Sequence, residues 1–293
     1  MDRSRAILLT GASRGLGRAT ALRLAASGWT VYAGVRTTAD GQALAAEAGS
    51  GIVPVELDVT SPEQIAALDD VLPERLHAVI NNAGVIADGP IEAVETDRLR
   101  EVFEVNVFGC IAVTQAVLPR LRRGQGRVII MSSLSGRVTT PWTGVYCASK
   151  AAIESIGDAL RIELRPWGIP VTLVEPNATA TDMWSDADAM VEATVAAMRP
   201  QHRVLYADHI DGVRRGVPTM QKRAVPVSKV VDVVEKAVES RSPRARYLVG
   251  IDSRLAHIGA ALTPTRVLDR VLAAAMGFPK RADVSRTVNA HQR

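Results

Sequence analysis

Tyr146 and Lys150 stand at positions i and i+4 of the run Tyr146-Cys147-Ala148-Ser149-Lys150, with Ser133 upstream of both. On a helix such positions share a face, so the ammonium of Lys150 is expected near the phenol of Tyr146. A free phenol, with a pKa near ~10, is a poor base at neutral pH, and a neighbouring cation favours the phenolate and lowers that value. Tyr146 is then a candidate to trade protons with an alcohol or a carbonyl. An accidental pair on a solvated helix face has the same spacing, so the rest of the chain has to decide.

The start of the chain decides a good deal. Ala6-Ile7-Leu8-Leu9 reads as a short buried strand and runs straight into Thr10-Gly11-Ala12-Ser13-Arg14-Gly15-Leu16-Gly17. Over 18–27 the apolar residues Ala21, Leu22, Leu24 and Ala25 recur at helical spacing, and Gly28 ends the run. A glycine turn between a strand and a helix suits a pyrophosphate, because backbone lacking side chains can approach it and the helix N-terminus offers N–H groups and dipole. The spacing is G-x-x-x-G-x-G, which is neither G-x-G-x-x-G nor a P-loop, since Leu16 stands where a P-loop has its second glycine. A dinucleotide turn beside a tyrosine–lysine pair points to hydride transfer.

With Asp58-Val59 after a third strand-like run, Asn81-Asn82-Ala83-Gly84 after a fourth, Asn106, Ser133, and the stretch from Pro176 to Thr181 all in order, the chain resembles the short-chain dehydrogenase/reductase family over roughly residues 5–250. The resemblance implies that Tyr146 is the general acid/base, that Ser133 hydrogen-bonds the substrate oxygen, and that Lys150 grips the nicotinamide ribose while lowering the tyrosine pKa. It gives Asn106 a water in a proton relay. It further implies cofactor contacts at Gly11, Ser13, Arg14, Gly15, Leu16, Gly17, Arg36, Asp58, Val59, Asn82, Ala83, Gly84, Pro176, Asn177 and Thr181, besides Tyr146 and Lys150.

Each of these has a plainer reading. Asn106 reads equally as a buried polar residue satisfied by backbone. Asn81 and Asn82 read as turn residues, Ser132 and Ser135 rival Ser133, and Glu175 reads as a structural or rim carboxylate. Where the family has Pro-Gly the chain has Pro176-Asn177. Asn tolerates positive φ next best after Gly, so that turn is expected to survive with an added side chain near the nicotinamide.

The end of the second strand bears on the choice of cofactor. An acid there would bind the ribose hydroxyls of NAD and repel the phosphate of NADP. Val35 holds that place, with Arg36 beside it and Arg14 in the glycine turn, and two guanidinium forks suit a phosphate. NADP(H) is the expected cofactor, with NAD(H) possible; surface arginines without a ligand are the alternative.

Apolar runs at 7–9, 31–35, 53–57, 78–81, 128–132, 171–175 and 246–249 alternate with helical ones, which predicts an α/β fold: a single Rossmann-type doubly wound parallel sheet of about seven strands, its site at the carboxyl ends. The 293 residues, 47% hydrophobic, are read as one domain with a substrate lid at about 182–226 and an extension at about 251–293. Met183, Trp184, Met190, Met198 and Tyr206 give the lid an apolar character that hints at a hydrophobic alcohol or carbonyl substrate. Pro243 to Gly250 and the tail resemble the branch that contains steroid and retinol dehydrogenases.

In the tail, Val267, Leu268, Val271, Leu272 and Ala275 form an apolar stripe expected to pack on the core or on a partner subunit, with membrane-surface contact the minority reading. The runs 99–118 and 145–164 carry apolar residues on more than one face, and in the family these helices pair into homodimers or homotetramers. Cys110 and Cys147 lack a metal-type spacing and are expected to stay free thiols; no metal is expected. The formal charge of +4 and scattered arginines argue against nucleic acid. The densest basic run, Arg120 to Arg127, is expected to be a solvated helix end, with docking of an acidic carrier protein the alternative. The first residues leave no room for a signal peptide and no stretch reaches ~18 apolar residues, so a cytoplasmic protein is expected.

Overall fold

A computed structural model describes residues 5–180 and 186–279. Seven strands, β1 (Ala6–Leu9), β2 (Thr30–Val35), β3 (Ile52–Glu56), β4 (Ala78–Asn81), β5 (Arg127–Met131), β6 (Val171–Pro176) and β7 (Arg246–Val249), form one sheet in the order β3-β2-β1-β4-β5-β6-β7. All six pairings are parallel. Such strands are covered on both faces, which is why they read as unbroken apolar runs rather than as alternation. The chain winds outward from β1 to β3 and then restarts at β4, so a crevice opens beyond the carboxyl ends of β1 and β4.

Helices α1 (Gly15–Ala26) and α2 (Thr38–Ala48) follow the first two strands, and two short turns, α3 (Pro62–Ala66) and α4 (Leu68–Val71), follow the third. A long helix then runs over Thr96–Gly124 as α5 (Thr96–Phe103), a π-helical turn (Glu104–Gly109) and α6 (Cys110–Gly124). After it come α7 (Gly144–Glu163), α8 (Ala187–Ala197), α9 (Pro200–Leu205), α10 (Ala207–Lys222), α11 (Val227–Glu239), α12 (Ile251–Leu262) and α13 (Thr265–Ala275). On one face of the sheet, Val113, Val117 and Leu121 of α6 and Ile153 of α7 pack on Leu8, Val79, Val128 and Leu173. On the other, Ala21 and Leu24 of α1 and Val230 and Val234 of α11 pack on Ile7, Leu9, Ile80 and Ile129. The stretch Thr96–Gly124 is long and apolar enough to cross a membrane, but its residues Val102, Val107, Val113, Val117 and Leu121 are buried in the protein, as in a core helix.

The structure revises in part the expectation for the basic run. Arg120 is buried against Asp69 and half-buried Arg127 donates to the carbonyls of Ala237 and Ser240, whereas Arg122, 4.5 Å over the Trp167 ring, and Arg123, whose Nε donates to the Glu74 carbonyl at 2.8 Å, stay exposed as expected of a solvated helix end. In the tail, Val267 and Val271 are exposed among the described residues while Leu268 and Leu272 are half-buried; Met276 and Phe278 beyond them pack on Trp142, Ile210 and Val213. The close approach needs Gly212, where a Cβ would lie 2.4 Å from the Met276 carbonyl oxygen. Met198 is buried within this same lid cluster, as ordinary packing. Thr181, Met183 and Trp184 lie outside the described residues. Cys110 and Cys147 are free and buried.

Candidate active site

The glycine turn is moulded by its neighbours. Gly11 (φ +64°) and Gly15 (φ +54°) occupy the left-handed region. A Cβ on Gly11 would lie 2.8 Å from Ala83 Cα, and one on Gly17 would lie 2.0 Å from the Gly11 oxygen. Asn82 Nδ2 donates to the Thr10 and Gly11 carbonyls at 3.1 and 3.0 Å, while Thr10 Oγ1 accepts from the backbone N–H groups of Asn82 and Ala83, both at 3.0 Å. The Asn82 side chain thus braces the turn from beneath, and Thr10, absent from the expected set, is its counterpart. Asn81 reaches the other way, donating to Thr114 Oγ1 at 2.8 Å. Leu16, half-buried, packs on the core, and Val59 is buried under Gly109.

The second group gathers at the carboxyl ends of β4, β5 and β6. Ser133 hydrogen-bonds the Tyr146 phenol, which selects it over Ser132, whose buried hydroxyl has no partner, and over Ser135, whose N–H donates to Ser133 Oγ at 3.1 Å. Lys150 is 6% exposed, and its Nζ donates to the Met131 carbonyl at 2.7 Å, 5.7 Å from the Tyr146 ring centre. An ammonium has three donors, so two remain for a ligand. Asn106 lies in the π-helical turn, a local widening common at functional sites. Its Oδ1 accepts from Val85 N–H at 2.8 Å, and its Nδ2 donates to the Val85 carbonyl at 2.9 Å and to Ser149 Oγ at 3.0 Å. Ser149 donates in turn to the Tyr146 carbonyl at 2.8 Å, a link that the sequence did not suggest.

The electrostatics differ from the expected phenolate. Burial pushes Tyr146 up to about 12, the charge of nearby Asp88 adds to this, and the Ser133 hydrogen bond offsets only part. Burial lowers Lys150 to about 8, against the charges of Cys110 and Glu154. The Lys150 ammonium is turned to the end of β5. Tyr146 is therefore a protonated donor at neutral pH. Asp88, which the sequence reading missed, is pushed up to about 6 by burial.

Asn177 does not take the positive φ that replacing glycine suggested; its Oδ1 accepts from the next backbone N–H, of Ala178, at 2.8 Å. Glu175 is fully buried, which removes the rim reading.

The residues fit a dinucleotide. The glycine cradle leaves no room for side chains, and Gly84, exposed, lies where a Cβ would be 3.3 Å from Asn106 Oδ1 and 3.9 Å from Lys150 Nζ. Val35 is 2% exposed and presents no carboxylate. Arg14 and Arg36 are exposed and form no salt bridge with a described residue, while Ser13 and Gly15 lie between Arg14 and the rest of the turn. Burial works to raise Asp58, but hydrogen bonds from Thr60 and the charge of Arg36 hold it below the usual carboxylate range. Its Oδ1 accepts from Thr60 N–H and Oγ1 at 2.9 and 2.7 Å, so Asp58 also fixes its own turn.

Comparison with known proteins agrees with this layout. The family described as short chain dehydrogenase matches residues 5–192. Retinol dehydrogenase 5 of Mus musculus is 32% identical over 281 residues, covering 91% of this chain and 87% of its own. The NADPH-dependent 3-dehydrocapnine reductase of Ornithobacterium rhinotracheale is 31% identical over 274 residues, covering 90% and 94%. Among solved structures, a short chain dehydrogenase from Burkholderia cenocepacia J2315 in complex with NADP superposes with a TM-score of 0.71 at 27% identity, covering 92% of this chain and 98% of that one. The chain belongs to the short-chain dehydrogenase/reductase family, oxidoreductases that use NAD(P) and act on CH–OH groups.

Proposed function

We propose that the protein interconverts a hydrophobic secondary alcohol and its ketone with NADP(H). The observation that carries the reading is the Tyr146 phenol, protonated and hydrogen-bonded to Ser133, beside a buried Lys150 with donors to spare. The cofactor supplies or takes the hydride. Ser133 donates a hydrogen bond to the substrate oxygen and Tyr146 gives that oxygen its proton during reduction, or removes it during oxidation. Lys150 holds the ribose hydroxyls, and Asn106 fixes the backbone of Val85 and, through Ser149, the first turn of α7. The preference for NADP(H) rests on Arg36 and Arg14 without an acid at Val35, and agrees with a relative named as NADPH-dependent.

A panel of carbonyls and alcohols, including steroids, retinoids and acyl thioesters, followed by NADPH absorbance, tests the reading; the absence of turnover with NADPH still bound would favour a non-catalytic dinucleotide sensor. A second reading, reduction of a 3-oxoacyl thioester carried by an acidic protein, draws on Arg122 and Arg123, which are exposed although Arg122 lies over the Trp167 ring and Arg123 donates to the Glu74 carbonyl. Exposed Phe108, Ile162 and Trp167 support self-association as a dimer or tetramer, which light scattering at micromolar concentration tests. A cytoplasmic location agrees with the two free thiols and is tested by fractionation.

A further inference from the structure

Below the Ser133 turn lies a cluster of charges that the proposed chemistry does not use. Glu175 of β6 has no exposed surface, and Glu154 of α7 is 4% exposed. Arg137, just past the tight turn Leu134–Gly136, lies 2.9 Å from Glu154 Oε2 and 3.8 Å from Glu175 Oε1. Arg246, at the start of β7, lies 3.2 Å from Glu154, 2.6 Å from Asp158 and 3.1 Å from Glu175. Glu154 Oε1 and both oxygens of Glu175 nevertheless have no aligned donor. A proton on one carboxyl would supply the donor that the other lacks, because an ionised carboxylate only accepts. Burial and the adjacent Glu154 charge push Glu175 up to about 7, and the arginines offset only part.

This cluster is attached to the site through three elements. Glu154 follows Tyr146 and Lys150 at the next i+4 step of α7, on their face of the helix. Gly136 rides directly on it: a Cβ there would lie 2.9 Å from Glu154 Cγ and 3.0 Å from the Lys150 carbonyl oxygen. Glu175 precedes Pro176, whose carbonyl accepts from Ser133 Oγ at 3.4 Å.

We propose that Glu154 and Glu175 are positioning residues that share one proton between Arg137 and Arg246 and thereby hold the Ser133 turn against α7 and the end of β6. The proposal rests on the site reading above and deepens it. The charged groups facing the pair are Arg137 from the turn, Arg246 from β7, and Lys150 and Asp158 from α7; Asp158 is itself occupied by Arg161 and Arg246, each at 2.6 Å. Loss of the proton leaves two buried carboxylates facing each other, a repulsion relieved by parting the turn from the helix. The pair's proton is bound more tightly in the folded than in the unfolded chain. The stability it brings is thus complete below the ordinary carboxylate range and is lost as pH rises through about 7.

The full chain, Glu175→Gln and Glu154→Gln are compared by infrared spectroscopy and by thermal midpoint at about pH 5.5 and about pH 8.5. Wild type is expected to show a protonated-carboxyl band at the lower pH that fades at the higher one and is missing in both variants. Its midpoint should fall with pH more steeply than that of Glu175→Gln, where an amide N–H donates to Glu154 at every pH. On a ketone that the panel shows to be reduced, kcat of wild type should fall up to about tenfold per pH unit above the titration, a limb that Glu175→Gln removes while KM for NADPH hardly moves. A wild-type band that persists in both variants, or a midpoint profile identical in wild type and Glu175→Gln, overturns the proposal. The band and midpoint need no substrate, so failure of the pair is distinguishable from failure of the oxidoreductase reading.

Discussion

At the β1 end of the crevice, Thr10 Oγ1 accepts two backbone N–H groups, Asn82 Nδ2 donates to two carbonyls, and the glycines are pressed to within a Cβ of their neighbours. At the β5–β6 end, Ser132 Oγ, Asp88 Oδ1, Glu154 Oε1 and both oxygens of Glu175 have no aligned partner, and burial displaces Tyr146, Asp88 and Glu175 upward and Lys150 downward. The first region is a mould whose shape comes from absent side chains. The second is a set of ionisable groups held away from their usual protonation. Binding a flat, charged dinucleotide asks for shape and satisfied backbone, whereas moving a proton asks for groups that water has not levelled.

The contrast breaks most sharply at the phenol. Tyr146→Phe should lower turnover by about 10²- to 10⁴-fold while leaving NADPH affinity near wild type, measured by steady-state kinetics and fluorescence titration; near-normal turnover would remove the acid/base role. On the mould side, Arg36→Ala should weaken NADPH about 10- to 150-fold and leave NADH almost unchanged, as expected for a lost charge-assisted contact of roughly 1.5–3 kcal/mol. Dissociation constants at one ionic strength check this, and equal loss for both cofactors sinks the NADP(H) assignment. Gly17→Ala places a methyl 2.0 Å from the Gly11 oxygen and 2.6 Å from Asn82 Nδ2, so it should cost about 1–3 kcal/mol of stability and disturb binding of both cofactors alike. Denaturant unfolding with and without NADPH reads both effects.

The smallest expected effect is at Asn177. Because its φ is not positive and its side chain caps Ala178, Asn177→Gly should lower stability by about 0.5–1 kcal/mol through lost backbone restriction and a lost hydrogen bond. A gain in stability would show that the position does strain a residue with a Cβ.

How much of this was legible along the chain follows from the range of each interaction. The strands were readable to within a residue, because burial on both faces writes a continuous apolar run: 78–81 and 246–249 coincide with β4 and β7, and 31–35 falls one residue short of β2. The glycine turn was readable because its demand for positive φ and close approach is met by residue type alone. The burial of Arg120 and the ties of Arg123 and Arg127 were not legible, because their partners Asp69, Glu74 and Ala237 are distant in sequence.

The chain by itself determined the parallel sheet, the glycine cradle, and the spacing that puts Tyr146 and Lys150 on one helical face, since periodicity, turn chemistry and an i+4 step are local properties. Only the tertiary structure decided what those groups are electrically. It turned Lys150 toward the Met131 carbonyl, withdrew water from the phenol, and set Glu154 beside Glu175 and Arg246, which lies 92 residues further along the chain. Desolvation depends on everything that packs around a group, and no spacing between neighbours along a sequence records it.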